Sequence, residues 1–261
     1  MKYPNDSYYL IQFQYLGFRF HGWQKQPEVK TIQGTLEKTF RFIFKHDNFK
    51  TLASGRTDTM VSANEALCHL TTKTFYETDW LFHQLNKNLP QDIQILKIES
   101  VSADFDILQN TKQKEYHYLF SHGEKIHPFC APLLTGKNHV LDIELMQQGA
   151  KLFEGKHNFK KYTVRPSENT KFVRTVLSSE ILENTLYQAN FFPKNSFIYR
   201  VKGPGFMRYQ IRMMMGQLFL LGMHETTLEE IKNSLIFWDT DHKNKEIAPA
   251  SGLILHKNTL K

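Results

Sequence analysis

The sequence predicts an α+β protein built from two ferredoxin-like halves, and three observations carry that prediction. Elements read from hydrophobic period and turn residues come in the order β-α-β-β-α-β over the first hundred residues, the split unit of ferredoxin-like folds. A related pattern restarts near residue 106 with no Gly/Ser-rich linker before it. The chain has 261 residues, 41% hydrophobic and 13% aromatic, enough to bury a core and too apolar for disorder. The expected halves are residues 1–105 and 106–261.

In the first half, Tyr8 to Tyr15 is rich in aromatic and β-branched residues with partial alternation, a strand ended by Gly17. Phe18 to Gln26 then interleaves aromatic with basic and amide side chains. Such a loop can stack bases and contact phosphates, through Phe20, His21, Trp23 and Gln24; equally, Phe18, Phe20 and Trp23 can be core. Thr31 is placed to cap a helix running to about Lys45, with Ile32, Leu36, Phe40 and Ile43 at helical spacing. Strands follow at Phe49 to Ser54 and Ala66 to Thr72, then a helix from Asp79 to Lys87 capped by Thr78, and a strand from Ile93 to Val101.

Between the second and third strands lies Ala53 to Asn64, where Arg56 and Asp58 stand two residues apart. Extended chain would put them on one face, and the cation would hold the carboxylate ionised, a poised nucleophile or base. A surface turn with an incidental ion pair is the other reading.

The second half begins with a strand, Glu115 to Ser121, whose Tyr116, Tyr118 and Phe120 share a side. Leu141 to Phe153 reads as a helix closed by Gly155, with strands around Thr175 to Leu182 and Phe197 to Lys202. After the break at Gly203-Pro204-Gly205, Phe206 to Leu221 is apolar on nearly every side, the mark of a buried helix. Arg212 within it asks for an anionic partner, because taking its charge out of water is expensive, unless it snorkels to the surface. Leu228 to Ser234 is a short amphipathic helix, Lys243 to Ala248 a loop, and Ala250 to Leu255 a strand entered through a turn. No second carboxylate in this half matches Asp58, which gives one active site per chain.

Lys+Arg number 33 against 26 Asp+Glu, a net charge of +7 that favours an acidic partner such as nucleic acid. Cys68 and Cys130 stand alone, supporting neither a disulfide framework nor a zinc knuckle. Met1 to Asp6 lacks the apolar core of a signal peptide and no apolar run reaches the length of a membrane span, so a cytoplasmic protein is expected. The 12 histidines show no helical zinc spacing, so no metal is expected. Gly203, Gly205 and Gly216 make no dinucleotide fingerprint, and P-loop and nucleophile-elbow patterns are missing. Glu65, the one second acid near Asp58 for a glycosidase pair, sits at a strand start.

Several strings, in order along nearly the whole chain, resemble the tRNA pseudouridine synthase A family: Tyr15 to Gln24, Gly55-Arg56-Thr57-Asp58, Asn86 through Leu89-Pro90, Lys114 to Tyr118, Ile211-Arg212 through Gly216, and Ala248 to Leu253. The resemblance implies antiparallel sheets joined around a central RNA-binding cleft, a homodimer, and no cofactor or metal. It implies isomerisation of uridine to pseudouridine at nucleotides 38 to 40 of the tRNA anticodon stem-loop. Carried over by position, Asp58 is the essential carboxylate, Tyr116 packs on the target base, Arg212 pairs with Asp58, Arg56 lies beside the extruded nucleotide and Leu253 lines the base pocket. Departures fall at Thr59-Met60-Val61-Ser62-Ala63, where the family usually has Ala-Gly-Val-His-Ala, and at Leu108, where it usually has arginine. They leave open a non-catalytic RNA-binding module or RNA chaperone on the same fold.

Overall fold

A computed structural model describes residues 6–236 and 246–261. The fold is α+β, with nearly all strand pairing antiparallel. The chain divides into two compact units, Met1–Lys112 with Leu255–Lys261, and Gln113–Ile254.

The first unit contains β1 (Ser7–Tyr15), α1 (Ile32–Phe44), β2 (Phe49–Ala53), β3 (Ser62–Thr72), α2 (Thr78–Asn88), β4 (Ile93–Ser100) and the single-turn α3 (Ile107–Asn110). β1 runs between β3 and β4, antiparallel to both, and β2 pairs with the far end of β3. On the other side of β3 lies β11 (Leu253–Leu260), the last strand in sequence among the described residues. α1 buries Ile32, Leu36, Phe40 and Phe44, one apolar stripe at helical spacing. Its first turn is capped as the sequence predicts, with the Gly34 N–H donating to Thr31 Oγ1 at 3.2 Å.

Two boundaries in this unit differ from expectation. Glu77, not Thr78, holds the cap position of α2, and no side chain bonds the first turn there. Thr78 is already helical, so its hydroxyl is past the point where it could cap. β3 starts at Ser62 rather than Ala66, because pairing with β1 continues to Tyr15 opposite Ala63 through an irregularity after Phe13. Ser62 and Ala63 are small and carry little strand signal of their own.

The second unit contains β5 (Thr111–His122, most of it), β6 (Thr135–Lys137), α4 (Ile143–Lys151), β7 (Gly155–Asn158), β8 (Val173–Val176), β9 (Ser178–Glu183), β10 (Phe197–Gly203), α5 (Gln210–Gly222) and α6 (Leu228–Ile236). β10 lies between β5 and β9, antiparallel to each, while the short β6 runs parallel to β5. Tyr118 and Phe120, on one side of β5, meet Phe219 of α5 edge-on at 6.0 and 5.5 Å between ring centres. α5 is buried along nearly its whole surface, Arg212 and Leu220 being the half-buried exceptions.

Here three expectations change. The strand expected from Thr175 to Leu182 is two, interrupted at Leu177, with β8 paired to β7 and β9 to β10. Gly155 does not close α4, which ends at Lys151; at φ +106° it opens β7. α5 begins at Gln210 rather than Phe206, because Tyr209 is left-handed at φ +61° and a right-handed helix cannot propagate back through it. Residues 1–5, read as lacking a signal-peptide core, and residues 243–245 of the expected loop lie outside the described residues. Among the described residues no helix is long and apolar enough to cross a membrane.

Candidate active site

In the first unit, Asp58 sits on the irregular loop that joins β2 to β3. Asp58 is half-buried and Arg56 exposed, with Thr57 buried between them. A second loop, leaving the end of β1, braces this one. The Met60 N–H donates to the Phe20 carbonyl at 3.0 Å, and the Trp23 N–H to the Thr57 carbonyl at 3.1 Å. Tyr15 and Thr57 share a hydroxyl hydrogen bond of 2.8 Å, and the Gly17 N–H donates to Ser62 Oγ at 2.9 Å. Together these bonds fix the backbone on both sides of Asp58.

Two glycines make the approach possible. A Cβ on Gly17 would lie 2.0 Å from the Val61 carbonyl oxygen, and one on Gly22 would lie 2.7 Å from that of Thr57. Gly22 also has φ +82°, a region that side chains resist. Phe20 and Trp23, at 1% and 4% exposure, anchor the bracing loop in the interior, whereas His21 and Gln24 are exposed. The loop's remaining oddity is Met60, which keeps φ +66° although it is not glycine. At its base, Ser54 Oγ donates to Asn258 Oδ1 at 3.2 Å and Asn258 Nδ2 donates to the Glu65 carbonyl at 2.7 Å, so β11 also buttresses the strands that carry the loop.

In the second unit, Tyr116 is mostly buried on β5 and meets Phe206 edge-on at 5.5 Å. Phe206 packs close over Gly203, where a Cβ would come within 3.0 Å of its ring. Arg212 projects from α5, donating from Nε to the Ala248 carbonyl at 2.8 Å, while the Ala248 N–H returns a bond of 3.0 Å to the Arg212 carbonyl. Its guanidinium lies 4.8 Å from the centre of the Tyr209 ring. Tyr118 OH donates to the Pro249 carbonyl at 2.8 Å, so residues 248–249 are tied to both α5 and β5. Leu253, buried, follows this segment.

Beside Tyr116 on β5, Glu115 holds His117 Nε2 at 2.9 Å and Lys202 Nζ at 3.2 Å. Burial alone would raise the Glu115 carboxyl, but the His117 hydrogen bond and the Lys202 ammonium outweigh it and hold it below the usual carboxylate range. Burial lowers the Lys114 ammonium.

The sequence pointed to Asp58, Tyr116 and Arg212 but not to the groups that hold them. Gly17 and Gly22 were the available signal, since glycines flanking an aromatic loop mark close backbone approach or positive φ. Tyr209 and Ala248 carried no such mark.

A carboxylate on a braced loop is the candidate catalytic group of an α+β protein whose 33 Lys+Arg against 26 Asp+Glu favour an anionic partner. A family profile described as tRNA pseudouridine synthase matches residues 11–108 and 150–259. The chain is 33% identical over 252 residues to the tRNA pseudouridine synthase A of Dictyoglomus thermophilum, covering 95% of this chain and 97% of that protein. It is 34% identical over 250 residues to that of Fervidobacterium nodosum, with coverage of 95% and 97%, and 30% identical over 250 residues to that of Halalkalibacterium halodurans, with 96% and 91%. The chain belongs to the tRNA pseudouridine synthase family.

Proposed function

We propose that the protein isomerises uridine to pseudouridine in tRNA, at nucleotides 38 to 40 of the anticodon stem-loop, as a cytoplasmic homodimer. Family membership supports the reaction, and the bracing of the Asp58 loop is the observation that carries the choice of catalytic group.

The reaction breaks the N1–C1′ glycosidic bond, turns the freed uracil, forms a C5–C1′ bond and releases the proton from C5. One proton is lost at C5 and one gained at N1, so atoms and electrons balance with no cofactor or metal. A carboxylate is needed to attack the sugar or to take a proton from it, and Asp58 supplies it. Tyr116 packs against the target base, which must leave its stack at a cost of a few kcal/mol. Arg212 keeps the reacting carboxylate ionised. Arg56 contacts the displaced nucleotide and Leu253 lines the base pocket. His21 and Gln24 face the RNA, while Phe20 and Trp23 act through the loop they anchor.

Mapping pseudouridine at nucleotide resolution in unmodified tRNA treated with the protein tests activity and position together. Asp58→Asn is expected to abolish product while tRNA binding persists. A wild-type protein that binds tRNA and leaves its uridines unchanged refutes the reading.

A further inference from the structure

A groove of about 520 Å³ opens in the second unit between the loop that precedes β8 and the turn that precedes α5. Arg165, Lys171, Arg174 and Arg208 line it, and among the described residues no aspartate or glutamate does. None of the four forms an ion pair with a described carboxylate. Arg174 Nε is buried without a hydrogen-bond partner among the described residues, a costly state for a charged group. Four cations line one groove with no carboxylate among its described lining residues, which favours an anion there.

The walls are built rather than accidental. Thr163 Oγ1 donates to the Arg208 carbonyl at 3.0 Å and fastens the loop to the turn. Ser167 and Thr170 close the loop on itself through a 3.0 Å hydroxyl bond and a 3.0 Å backbone bond. Arg208 is two residues from Phe206, the ring that meets Tyr116, and precedes Tyr209, the ring beneath Arg212. An anion held here is therefore fixed to the same short segment that positions both of those side chains.

We infer that this groove binds backbone phosphates of the RNA substrate. Guanidinium groups suit it, because their planar donors match phosphate oxygens in pairs. The Thr163 hydroxyl is committed to the Arg208 carbonyl, but the Ser167–Thr170 pair uses only one of its two O–H groups and leaves the other as a neutral donor of the kind that commonly accompanies phosphate contacts. No base-reading edge is required, so the groove adds affinity without sequence preference. This inference rests on the proposed action on RNA.

Its test is the salt dependence of tRNA binding, measured with unmodified tRNA transcript. Arg165 and Lys171 are exposed, so replacing both leaves the interior packing untouched. In Arg165→Ala/Lys171→Ala, the slope of log affinity against log salt should become shallower by about 1.5, with roughly tenfold weaker binding at low salt. Arg165→Lys/Lys171→Arg, which keeps both charges, should restore the slope. An unchanged slope in the alanine pair overturns the inference, and so does a charge-retaining pair that loses as much as the alanine pair. The two readings fail separately. Pseudouridine formation by wild type with an unaltered slope in the alanine pair sinks the groove alone, and groove-dependent binding without pseudouridine sinks the catalytic assignment alone.

Discussion

Gly17→Ala offers the sharpest test of the bracing that surrounds Asp58. The added methyl carbon would sit 2.0 Å from the Val61 carbonyl oxygen and 2.9 Å from the Met60 carbonyl carbon, both backbone atoms with no rotamer to change. Ordinary contact requires about 3.4 Å, so one loop must retreat from the other by roughly 1.4 Å. That displacement breaks the Met60 N–H bond to Phe20, now 3.0 Å long. Overpacking of about 1–3 kcal/mol and a lost hydrogen bond of about 1 kcal/mol sum to roughly 2–4 kcal/mol of destabilisation. In a chain of this size the fall in Tm should be roughly 5–15 °C. The Val61 N–H is bonded to the Asp58 carbonyl at 3.2 Å, so the shift reaches the carboxylate. Misplacement of a reacting group by about 1 Å costs on the order of 100-fold in rate. The assay is release of labelled hydrogen from uridine C5 in tRNA under single-turnover conditions, at a temperature where circular dichroism shows the variant folded. A rate within about twofold of wild type, with the fall in Tm present, refutes the positional role of the Gly17 to Trp23 loop.

Other expectations follow from single features. Met60→Gly removes a side chain held at φ +66°, relieving about 1–2 kcal/mol of left-handed strain against up to about 1 kcal/mol of added chain entropy, so stability in urea should be equal or higher; a loss above about 1 kcal/mol contradicts this. Thr31→Ala leaves the Gly34 N–H uncapped and should cost about 1 kcal/mol, with Thr31→Ser recovering most of it. Glu115→Gln should cost about 1 kcal/mol at neutral pH, where the lowered carboxyl is ionised between His117 and Lys202. The sign is fixed by the depressed folded value: the stabilisation is complete above the ordinary glutamate range and is lost as pH falls from there through the depressed folded value. Unfolding curves of wild type and variant should converge in acid; a gap that stays constant to low pH argues against the ion pair as its source.

Local chemistry explains which parts of the fold could be read in advance. α1 was legible because its apolar spacing and its cap both lie within a few residues of one another. The start of α5 was not, since the left-handed turn at Tyr209 obeys no rule of residue type. The interruption at Leu177 is set by which neighbour each strand finds, and that is a matter of distant chain. Likewise the carboxylate at Asp58 was visible from its motif, whereas its braces at Gly17 and Gly22 announce a close approach without naming what is approached. Phe20 and Trp23 show the same limit: composition allowed a stacking surface or a core, and burial resolves only which way each ring faces in this fold.

The placement of β11 has a consequence for biosynthesis. Residues 255–261 belong to the first unit, yet all of Gln113–Ile254 must be translated before they exist. At about 5–20 residues per second the first unit waits on the order of 10–30 s for the strand that pairs with β3. Until then the edge of β3 beyond its pairing with β2 is an open ladder, and Ser54 and the Glu65 carbonyl lack Asn258. A ribosome stalled just before Leu255 should carry a protease-sensitive first unit, since the strands flanking the Asp58 loop gain their bonds to Asn258 only after the rest of the polypeptide has been made.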